Sequence, residues 1–214
     1  MNYLYVELNQ KMFINAAIYI IEQEAYLTEI DSVIGDGDHG IGMKRGWMAV
    51  HKLLLSKEYE YTDDLCYDVG LELLKTMGGA SGVIFGTMFV GGIKKLPHEN
   101  RVNTNMLYEY FCEGEKAIEH RGKAKVGYKT MLDALWPACK AMEEAIDESD
   151  DILNFFQKAY FAAKKGADES KKNVSRTGRS KNFRDKTIGL SDPGAISTSF
   201  IFKSFYETIK NNKR

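Results

Sequence analysis

The hydrophobic residues of this chain recur at helical spacing along almost all of its length. The N-terminal part shows the pattern clearly, because Phe13, Ala16, Ala17 and Ile20 fall three or four positions apart. Apolar residues at that spacing form one face of an amphipathic α-helix, whereas a half-buried strand alternates polar and apolar residues. Prolines, which interrupt helices, number only three. The pattern predicts an all-α protein.

Capping and turn residues divide this pattern into helices. Ser81 and Asn103 are suitable N-caps, whereas Gly78 and Pro97 are suitable stops. The longest connection, residues 173–191, is polar and basic, and loops of that length are typical of lids, binding loops or disordered segments. No repeat or linker divides the chain, so one domain over residues 1–214 is expected. The eight predicted helices span about residues 4–28, 41–57, 62–78, 81–97, 104–120, 130–146, 151–172 and 193–210.

One stretch interrupts the helical pattern and carries most of the candidate chemistry. Residues 30–42 contain Asp31, Asp36, Asp38, His39 and four glycines. Mg²⁺ binds carboxylate oxygens and keeps part of its hydration, so two or three aspartates with ligand phosphates form a magnesium site. Three aspartates in a metal-free loop would repel one another. The stretch favours a metal and phosphate site over the alternative, an exposed acidic turn.

Two familiar motifs match this stretch only in part. The glycines of residues 35–40 have the G-x-G-x-x-G spacing of a dinucleotide-binding turn, but that turn follows a β-strand and here the preceding residues are helical. Residues 36–38 begin like a calcium-binding EF-hand loop, yet Trp47 stands in place of the required glutamate. Neither site is expected.

Two predicted helix starts are suited to complete a phosphate site. Residues 78–82 read Gly-Gly-Ala-Ser-Gly, and small residues let backbone amides approach a phosphate at the positive end of a helix dipole. Residues 191–194 read Ser-Asp-Pro-Gly, which by itself is an ordinary helix start. Residues 122–131 combine glycine and lysine before a helix, but Tyr128 breaks the Walker spacing. The cations of the long basic loop are able to balance phosphate charge, although such runs are usually solvated.

Composition narrows the class of protein. A net charge of −1 argues against a protein that coats nucleic acid. The 44% hydrophobic and 28% charged residues are typical of a soluble globular protein. Cys66, Cys112 and Cys139 are widely spaced, which favours core thiols over a disulfide framework. Neither a signal peptide nor a membrane span is recognised, so a cytoplasmic protein without a membrane or nucleic-acid partner is expected.

Four segments together resemble one known family, the L subunit of dihydroxyacetone kinase and the equivalent domain of ATP-dependent kinases. In order and approximate spacing they are residues 34–40, 78–82, 129–135 and 192–195, and the likeness covers nearly the whole chain. The resemblance implies an all-α, single-domain, eight-helix antiparallel barrel with the nucleotide site at one end. Two departures are Gly42, where relatives often carry Asn or Thr, and Tyr128, where they carry an acidic residue.

The resemblance also implies roles for individual residues. Asp31, Asp36 and Asp38 would bind two Mg²⁺ ions, and Arg179 would help to close the site. From the chemistry of phosphoryl transfer we also expect Arg179 to be catalytic, by offsetting charge on the transferred group. The remaining residues would hold the nucleotide, ADP or ATP, around its phosphates, along its adenosine and at the closing edge of the site. This cofactor-binding set is His39, Gly40, Ile41, Gly42, Ala80, Ser81, Gly122, Thr130, Met131, Arg179, Asp192, Pro193 and Gly194.

The function implied by the resemblance is that of one subunit of a kinase. In the family, a phosphohistidine carrier subunit of the M type recharges bound ADP, and a separate K-type subunit holds dihydroxyacetone. Two alternatives stay open: a subunit of an ATP-dependent ketose or fatty-acid kinase with exchangeable nucleotide, and a non-catalytic nucleotide sensor that binds a transcription regulator. A homodimer is also left open.

Overall fold

The computed structural model describes residues 1–212 and confirms the all-α prediction. Short 3₁₀ helices lie at Ile93–Lys95, Ser170–Lys172 and Ser180–Thr187. A two-residue antiparallel ladder pairs β1 (Leu4–Tyr5) with β2 (Arg101–Val102). The α-helices over residues 1–212 are α1 (Val6–Glu22), α2 (Glu24–Ile34), α3 (His39–Ser56), α4 (Thr62–Thr76), α5 (Gly79–Gly91), α6 (Thr104–Gly122), α7 (Leu132–Glu148), α8 (Ile152–Glu169) and α9 (Pro193–Asn212).

Eight of these helices pack side by side in a closed ring. The order around the ring is α1, α3, α4, α5, α6, α7, α8 and α9, and α9 returns to α1. Helix α2 packs against α3 and α9 without taking a place in that order. The ring confirms the eight-helix barrel, with α2 added beside it. The single domain over residues 1–214 stays a prediction, and its last two residues lie outside the described part.

The first predicted helix, about residues 4–28, is in fact two helices. Gln23 separates α1 from α2, and its ψ of 4° ends the helical run although its amide still donates to the Tyr19 and Ile20 carbonyls. Neither glycine nor proline marks this break, so periodicity alone did not reveal it. As a result Asp31 lies on α2 and not in the loop that carries Asp36 and Asp38.

Helix starts were predicted with mixed success. The side chain of Asn103 accepts a hydrogen bond from the Met106 amide at 3.0 Å, which confirms the predicted N-cap of α6. Ser81 is not the N-cap of its helix, because α5 already begins at Gly79. The turn before it depends on Gly78, whose φ of +73° is readily adopted by glycine alone.

Aromatic side chains fill the interior of the ring. Phe13 of α1 makes edge-to-face contacts with Phe89 of α5 at 5.4 Å and with Phe205 of α9 at 5.2 Å between ring centroids. Trp47 of α3 meets the same Phe89 ring at 6.2 Å. All four side chains are at most 2% exposed. Apolar burial of this kind contributes about 25 cal/mol per Å², so the core holds opposite sides of the ring together.

No helix within residues 1–212 has both the length and the apolar character needed to cross a membrane.

We expect Gly114→Ala to lower the free energy of unfolding by about 1–3 kcal/mol, as overpacked helix interfaces do. A Cβ at Gly114 of α6 would lie 2.3 Å from the Met88 carbonyl oxygen of α5, and backbone has little freedom to move away. Urea unfolding measures the change. Gly42→Ala is the matched control, because its Cβ would lie 3.4 Å from the nearest atom. Equal stability of the Gly114 variant and the wild type would contradict the close packing of α5 and α6.

Candidate functional site

Four helices begin at one end of the ring and face a common region. His39, the first residue of α3, is hydrogen-bonded through Nδ1 to Ser81 of α5 at 3.2 Å and through Nε2 to Ser197 of α9 at 2.8 Å. The start of α7 joins them, since a Cβ at Gly194 of α9 would lie 3.4 Å from the Met131 amide nitrogen. Helix N-termini present free N–H groups and a partial positive charge, so this end of the ring favours an anion.

Three carboxylates lie beside these helix starts. Asp31, Asp36 and Asp38 each offer an oxygen, and the three oxygens lie within 4.8 Å of one another. Asp31 is half-buried, and its Oδ2 accepts a hydrogen bond from the His39 amide at 3.1 Å, while Asp36 and Asp38 are exposed. A purely carboxylate donor set suits a hard cation such as Mg²⁺ better than a soft metal. The structure therefore places all three predicted metal ligands together.

Glycine at position 40 brings α3 close to α2. A Cβ at Gly40 would lie 2.4 Å from the Glu24 carbonyl oxygen and 2.5 Å from the Thr28 amide nitrogen. Any larger residue would push α3 away from the helix that carries Asp31. The spacing between the carboxylates and the first turn of α3 thus depends on this glycine.

Arg179 reaches the carboxylates from the long basic connection of residues 173–191, here called the basic segment. Its guanidinium forms an ion pair with Asp36 and lies 3.9 Å from Asp38, while its side chain is 67% exposed. Ion pairs this exposed contribute little to stability, so the guanidinium is readily replaced by another cation. The predicted catalytic residue therefore lies at the predicted metal ligands.

The basic segment is anchored by a buried lysine. Lys129 is 1% exposed and donates from Nζ to the carbonyl of Ser170, just before the segment, at 3.0 Å, and to the carbonyl of Leu190, near the end of the segment. Burial lowers the pKa of this amine, and Asp192 and Asp133 oppose the shift. Within the segment, the Ser175 amide donates to the Thr187 hydroxyl. In the sequence, Lys129 is part of an incomplete Walker pattern and of one segment of the family resemblance, and neither indicates this anchoring role.

His39 is a buried, neutral side chain. Burial lowers its pKa to about 4, although a hydrogen bond to the Pro193 backbone acts in the opposite direction. The hydroxyls of Ser81 and Ser197 occupy both ring nitrogens. Its contact with phosphate stays a prediction. The structure shows a further role, because this side chain joins the starts of α3, α5 and α9. Ser197 carried no signal in the sequence, because a serine inside a helix is unremarkable.

Two buried aspartates shape the turns at this end. Asp133 accepts hydrogen bonds from the amides of Gly127 at 2.7 Å and Thr130 at 2.8 Å, and from the side chain of Asn173 at 3.1 Å. Asp192 accepts the Ala195 amide at 2.7 Å and so caps α9. These bonds fix the turns that carry the predicted residues Thr130, Met131, Pro193 and Gly194. The structural role of Asp133 was not foreseen.

The remaining predicted residues lie around the same end. Ile41, in the first turn of α3, is 52% exposed, and Ala80 is exposed at the start of α5. Gly42 follows Ile41 on α3, and a Cβ there would meet the Met77 carbonyl at the end of α4. Gly122 is the last residue of α6 and lies near Ile84 of α5, which places it on the α5 side of the end.

A family model, the DAK2 domain, matches residues 33–207, from the acidic stretch to the last helix. The chain belongs to the DAK2-domain family.

Three relatives are similar to this DAK2 domain over most of both chains, and the resemblance found in the sequence is thereby confirmed. In Listeria innocua the "PEP-dependent dihydroxyacetone kinase 2, ADP-binding subunit DhaL" is 34% identical and covers 89% of each chain. The corresponding subunit of Escherichia coli is 31% identical over 87% of this chain and 88% of its own. The "PTS-dependent dihydroxyacetone kinase, ADP-binding subunit DhaL" of Lactococcus lactis is 33% identical over 89% and 91%.

Solved structures show the same fold. The native dihydroxyacetone kinase of C. freundii superposes with a TM-score of 0.72 at 23% identity, over 92% of this chain and 34% of that one. The same enzyme in complex with AMP-PNP and Mg²⁺ gives 0.72 at 24% identity, over 92% of this chain and 33% of that one. This DAK2 domain thus spans about a third of those longer chains.

We expect Asp192→Asn to change the pH dependence of stability. Burial raises the pKa of Asp192 to about 7, and Asp133 and Asp31 add to the shift while the Ala195 amide and Lys129 oppose it. Because the folded protein keeps a proton that the unfolded chain releases near pH 4, wild-type stability falls as the pH rises from about 4 to about 7. Asparagine does not titrate. As the pH rises through that window, the free energy of unfolding of the variant should therefore increase relative to that of the wild type, by roughly 1.4 kcal/mol per pH unit at most.

Urea unfolding at pH 4.5 to 8, without metal or nucleotide, measures this difference. The lowered pKa of His39 acts in the opposite direction in both proteins. Below pH 6.5 the unfolded chain takes up a proton on this imidazole that the folded protein does not, so the stability of the protein falls as the pH falls. That contribution cancels between variant and wild type. Parallel pH profiles for the two proteins would contradict the raised pKa of Asp192.

Proposed function

We propose that this DAK2 domain binds the magnesium complex of ADP or ATP and serves as the phosphoryl-transferring subunit of a kinase for dihydroxyacetone or a related ketose. The observation that carries the proposal is the meeting of three carboxylates with four helix starts at one end of the ring. A magnesium nucleotide combines a cation for the former with an anion for the latter. The ADP-binding relatives and the AMP-PNP and Mg²⁺ complex of the C. freundii enzyme support it.

The acidic residues would hold the metal. Asp31, Asp36 and Asp38 would provide hard oxygen ligands for two Mg²⁺ ions, since their carboxylate oxygens lie together. Bound magnesium supplies neutralisation of phosphate charge. The half-buried Asp31 is fixed by the His39 amide, whereas the exposed pair is free to adjust to the ligand.

The helix starts would hold the rest of the nucleotide. Backbone amides of residues 40–42 and of Ala80 and Ser81 would bind the phosphates. Residues 130–131 and Gly122 would border the adenosine, and residues 192–194 would close the site. The His39 bonds keep the α3, α5 and α9 starts in register, which is the positioning that phosphoryl transfer requires.

Phosphoryl transfer would involve two partner subunits. A phosphohistidine carrier of the M type would donate its phosphoryl group to the terminal phosphate of bound ADP, which regenerates ATP. The γ-phosphoryl group would then pass to a hydroxyl of the ketose held by a K-type subunit, which leaves ADP in place. The names of the PEP-dependent and PTS-dependent ADP-binding relatives support bound ADP and a phosphoryl donor other than free ATP. Arg179 would offset the charge that develops on the transferred group.

A kinase with exchangeable nucleotide is the second candidate. The L-erythrulose kinase of Pectobacterium atrosepticum is 30% identical over 82% of this chain and 30% of its own length. Retention of ADP through extensive dialysis with Mg²⁺ favours a fixed cofactor, and loss of ADP favours exchange. Transfer of ³²P from the phosphohistidine carrier but not from free ATP separates the two further. The cytoplasmic location, the homodimer and a transcription-regulator partner stay predictions.

Asp36→Ala should lose detectable binding of Mg·ADP, because it removes one of three metal ligands. Calorimetry with ADP, in the presence and absence of Mg²⁺, measures this. Asp147→Ala is the control, since Asp147 is an exposed aspartate near the end of α7. Unchanged affinity in the Asp36 variant would refute the metal role. Absence of Mg·ADP binding in the wild type would refute the proposed function itself.

Arg179→Ala should keep ADP bound but slow phosphoryl transfer by roughly 10³-fold, the smallest effect typical of a transition-state arginine. Transfer to dihydroxyacetone is followed in the complex with both partner subunits. Lys181→Ala, an exposed cation two residues further along the same segment, should transfer at the wild-type rate. Equal losses in the two variants would mean that the segment binds a partner and that Arg179 has no separate role.

A further inference from the structure

Arg179 lies in a part of the basic segment that is closed by hydrogen bonds across its base. The outermost of these bonds joins the Gly189 amide to the Lys171 carbonyl at 2.7 Å. Further in, the Ser175 amide donates to the Thr187 hydroxyl at 2.9 Å, which closes a loop of the residues between them. Because Arg179 is inside this loop, the bonds at its base limit where the Arg179 backbone lies.

Thr187 is the buried residue of an otherwise exposed stretch. Its relative exposure is 0%, whereas residues 181–186 before it and residues 188–189 after it are exposed. The hydroxyl both accepts and donates, because it binds the Ser175 amide and the Arg184 carbonyl, the latter at 2.7 Å. Arg184 has a φ of +50°, which residues other than glycine seldom adopt, so this second bond holds a kink in the chain. One side chain therefore sets both the closure and the bend of the loop.

The loop is also fixed to the rest of the domain. At its base, the Arg176 amide donates to the Tyr128 carbonyl at 3.1 Å, in the turn before α7. On its other side, the 3₁₀ helix Ser180–Thr187 packs against α2. Inside the loop, the hydroxyls of Ser175 and Ser180 are hydrogen-bonded to each other. These contacts leave the backbone around residue 179 little freedom to shift.

The side chain of Arg179 depends on this backbone for its position. It is 67% exposed and extends to Asp36 and Asp38. A long, solvated side chain reaches a given point only as precisely as its backbone is placed. A displacement of about 1 Å is enough to slow a reaction roughly 10²-fold.

We propose that Thr187 is a positioning residue for Arg179. Its hydroxyl closes and bends the loop so that the guanidinium lies beside the carboxylates, where it meets the phosphoryl group that is transferred. The hydroxyl acts through the backbone and is not itself a catalytic group. This role rests on the proposed function, in which Arg179 offsets the charge of the transferred group.

The variants Thr187→Val and Thr187→Ser separate the hydroxyl from the shape of the side chain. Valine removes both hydrogen bonds and leaves the buried Ser175 amide without its acceptor, whereas serine keeps the hydroxyl. In the complex with both partner subunits, Thr187→Val should transfer to dihydroxyacetone roughly 10²-fold more slowly than the wild type. It should still bind Mg·ADP in calorimetry. Thr187→Ser should recover most of the lost rate.

A double-mutant cycle with Arg179→Ala tests whether the two residues act together. Thr187→Val should have no further effect on transfer in the Arg179→Ala background, because the group that it positions is gone. Independent roles would multiply to a total loss of roughly 10⁵-fold. A loss of that size would overturn the proposal, as would a wild-type rate in Thr187→Val. Absence of transfer in the wild type would instead refute the proposed function, and this role would fall with it.

Trypsin digestion without magnesium or nucleotide tests the loop itself. The exposed basic residues of the loop are cleavage sites, and opening of the loop makes them better substrates. Thr187→Val should therefore be cut within residues 175–187 faster than the wild type, and Thr187→Ser at the wild-type rate. Equal cleavage of Thr187→Val and the wild type would contradict the closure of the loop by this hydroxyl.

Thr208→Val is the matched control on α9. The Thr208 hydroxyl also accepts one hydrogen bond, from the Asn15 side chain at 3.0 Å, and donates one, to the Ser204 carbonyl at 2.8 Å. It lies roughly 22 Å along α9 from the start of that helix. This variant should leave both the cleavage of the loop and the rate of transfer unchanged. A loss of transfer equal to that of Thr187→Val would mean that any buried threonine hydroxyl has this effect, which would overturn the specific role.

A second variant applies if Thr187→Val does not fold. Ser180→Ala removes the inner hydrogen bond of the loop at a partly exposed position. It should slow transfer, and the effect should vanish in the Arg179→Ala background. A wild-type rate in Ser180→Ala would then overturn the proposal.

Discussion

The candidate site depends on one buried imidazole. His39 begins α3 and is bonded through its two ring nitrogens to Ser81 of α5 and Ser197 of α9, so a single side chain sets the positions of three helix starts. Burial keeps the ring neutral, which lets one nitrogen donate while the other accepts. Loss of either bond would leave a buried polar group without a partner, at a cost of about 1–3 kcal/mol. The relative positions of these three helix starts therefore matter for the stability of the fold as well as for the geometry of the candidate site.

Opposite electrostatic potentials meet at this end of the ring. Helix starts favour negative charge, whereas Asp31, Asp36 and Asp38 favour positive charge. The two sets meet directly only where Asp31 accepts the His39 amide. The exposed guanidinium of Arg179 balances part of the carboxylate charge. A ligand that carries both a divalent cation and phosphates satisfies both sets at once.

Buried charges organise the segments around the site. Lys129 donates to the carbonyls of Ser170, just before the basic segment, and of Leu190, near its end. Asp133 and Asp192 accept hydrogen bonds from backbone amides at the starts of α7 and α9. Such groups are costly to bury unless each is hydrogen-bonded, so their bonds fix one arrangement of turns. The helices form a regular ring, while the irregular connections at its end are shaped by these three side chains. These three charged residues thus act as structural anchors.

Sequence by itself determined the helical class, most of the helix positions and the family, because apolar periodicity and local motifs are properties of short stretches. It also drew attention to Asp31, Asp36 and Asp38, whose proximity was proposed from three nearby positions and is seen in the structure. The break at Gln23 and the pairing of His39 with Ser197 had no local signal. Each joins or orients residues through packing between helices. Only the tertiary structure decided them, since closure of the ring sets which faces meet and at what register.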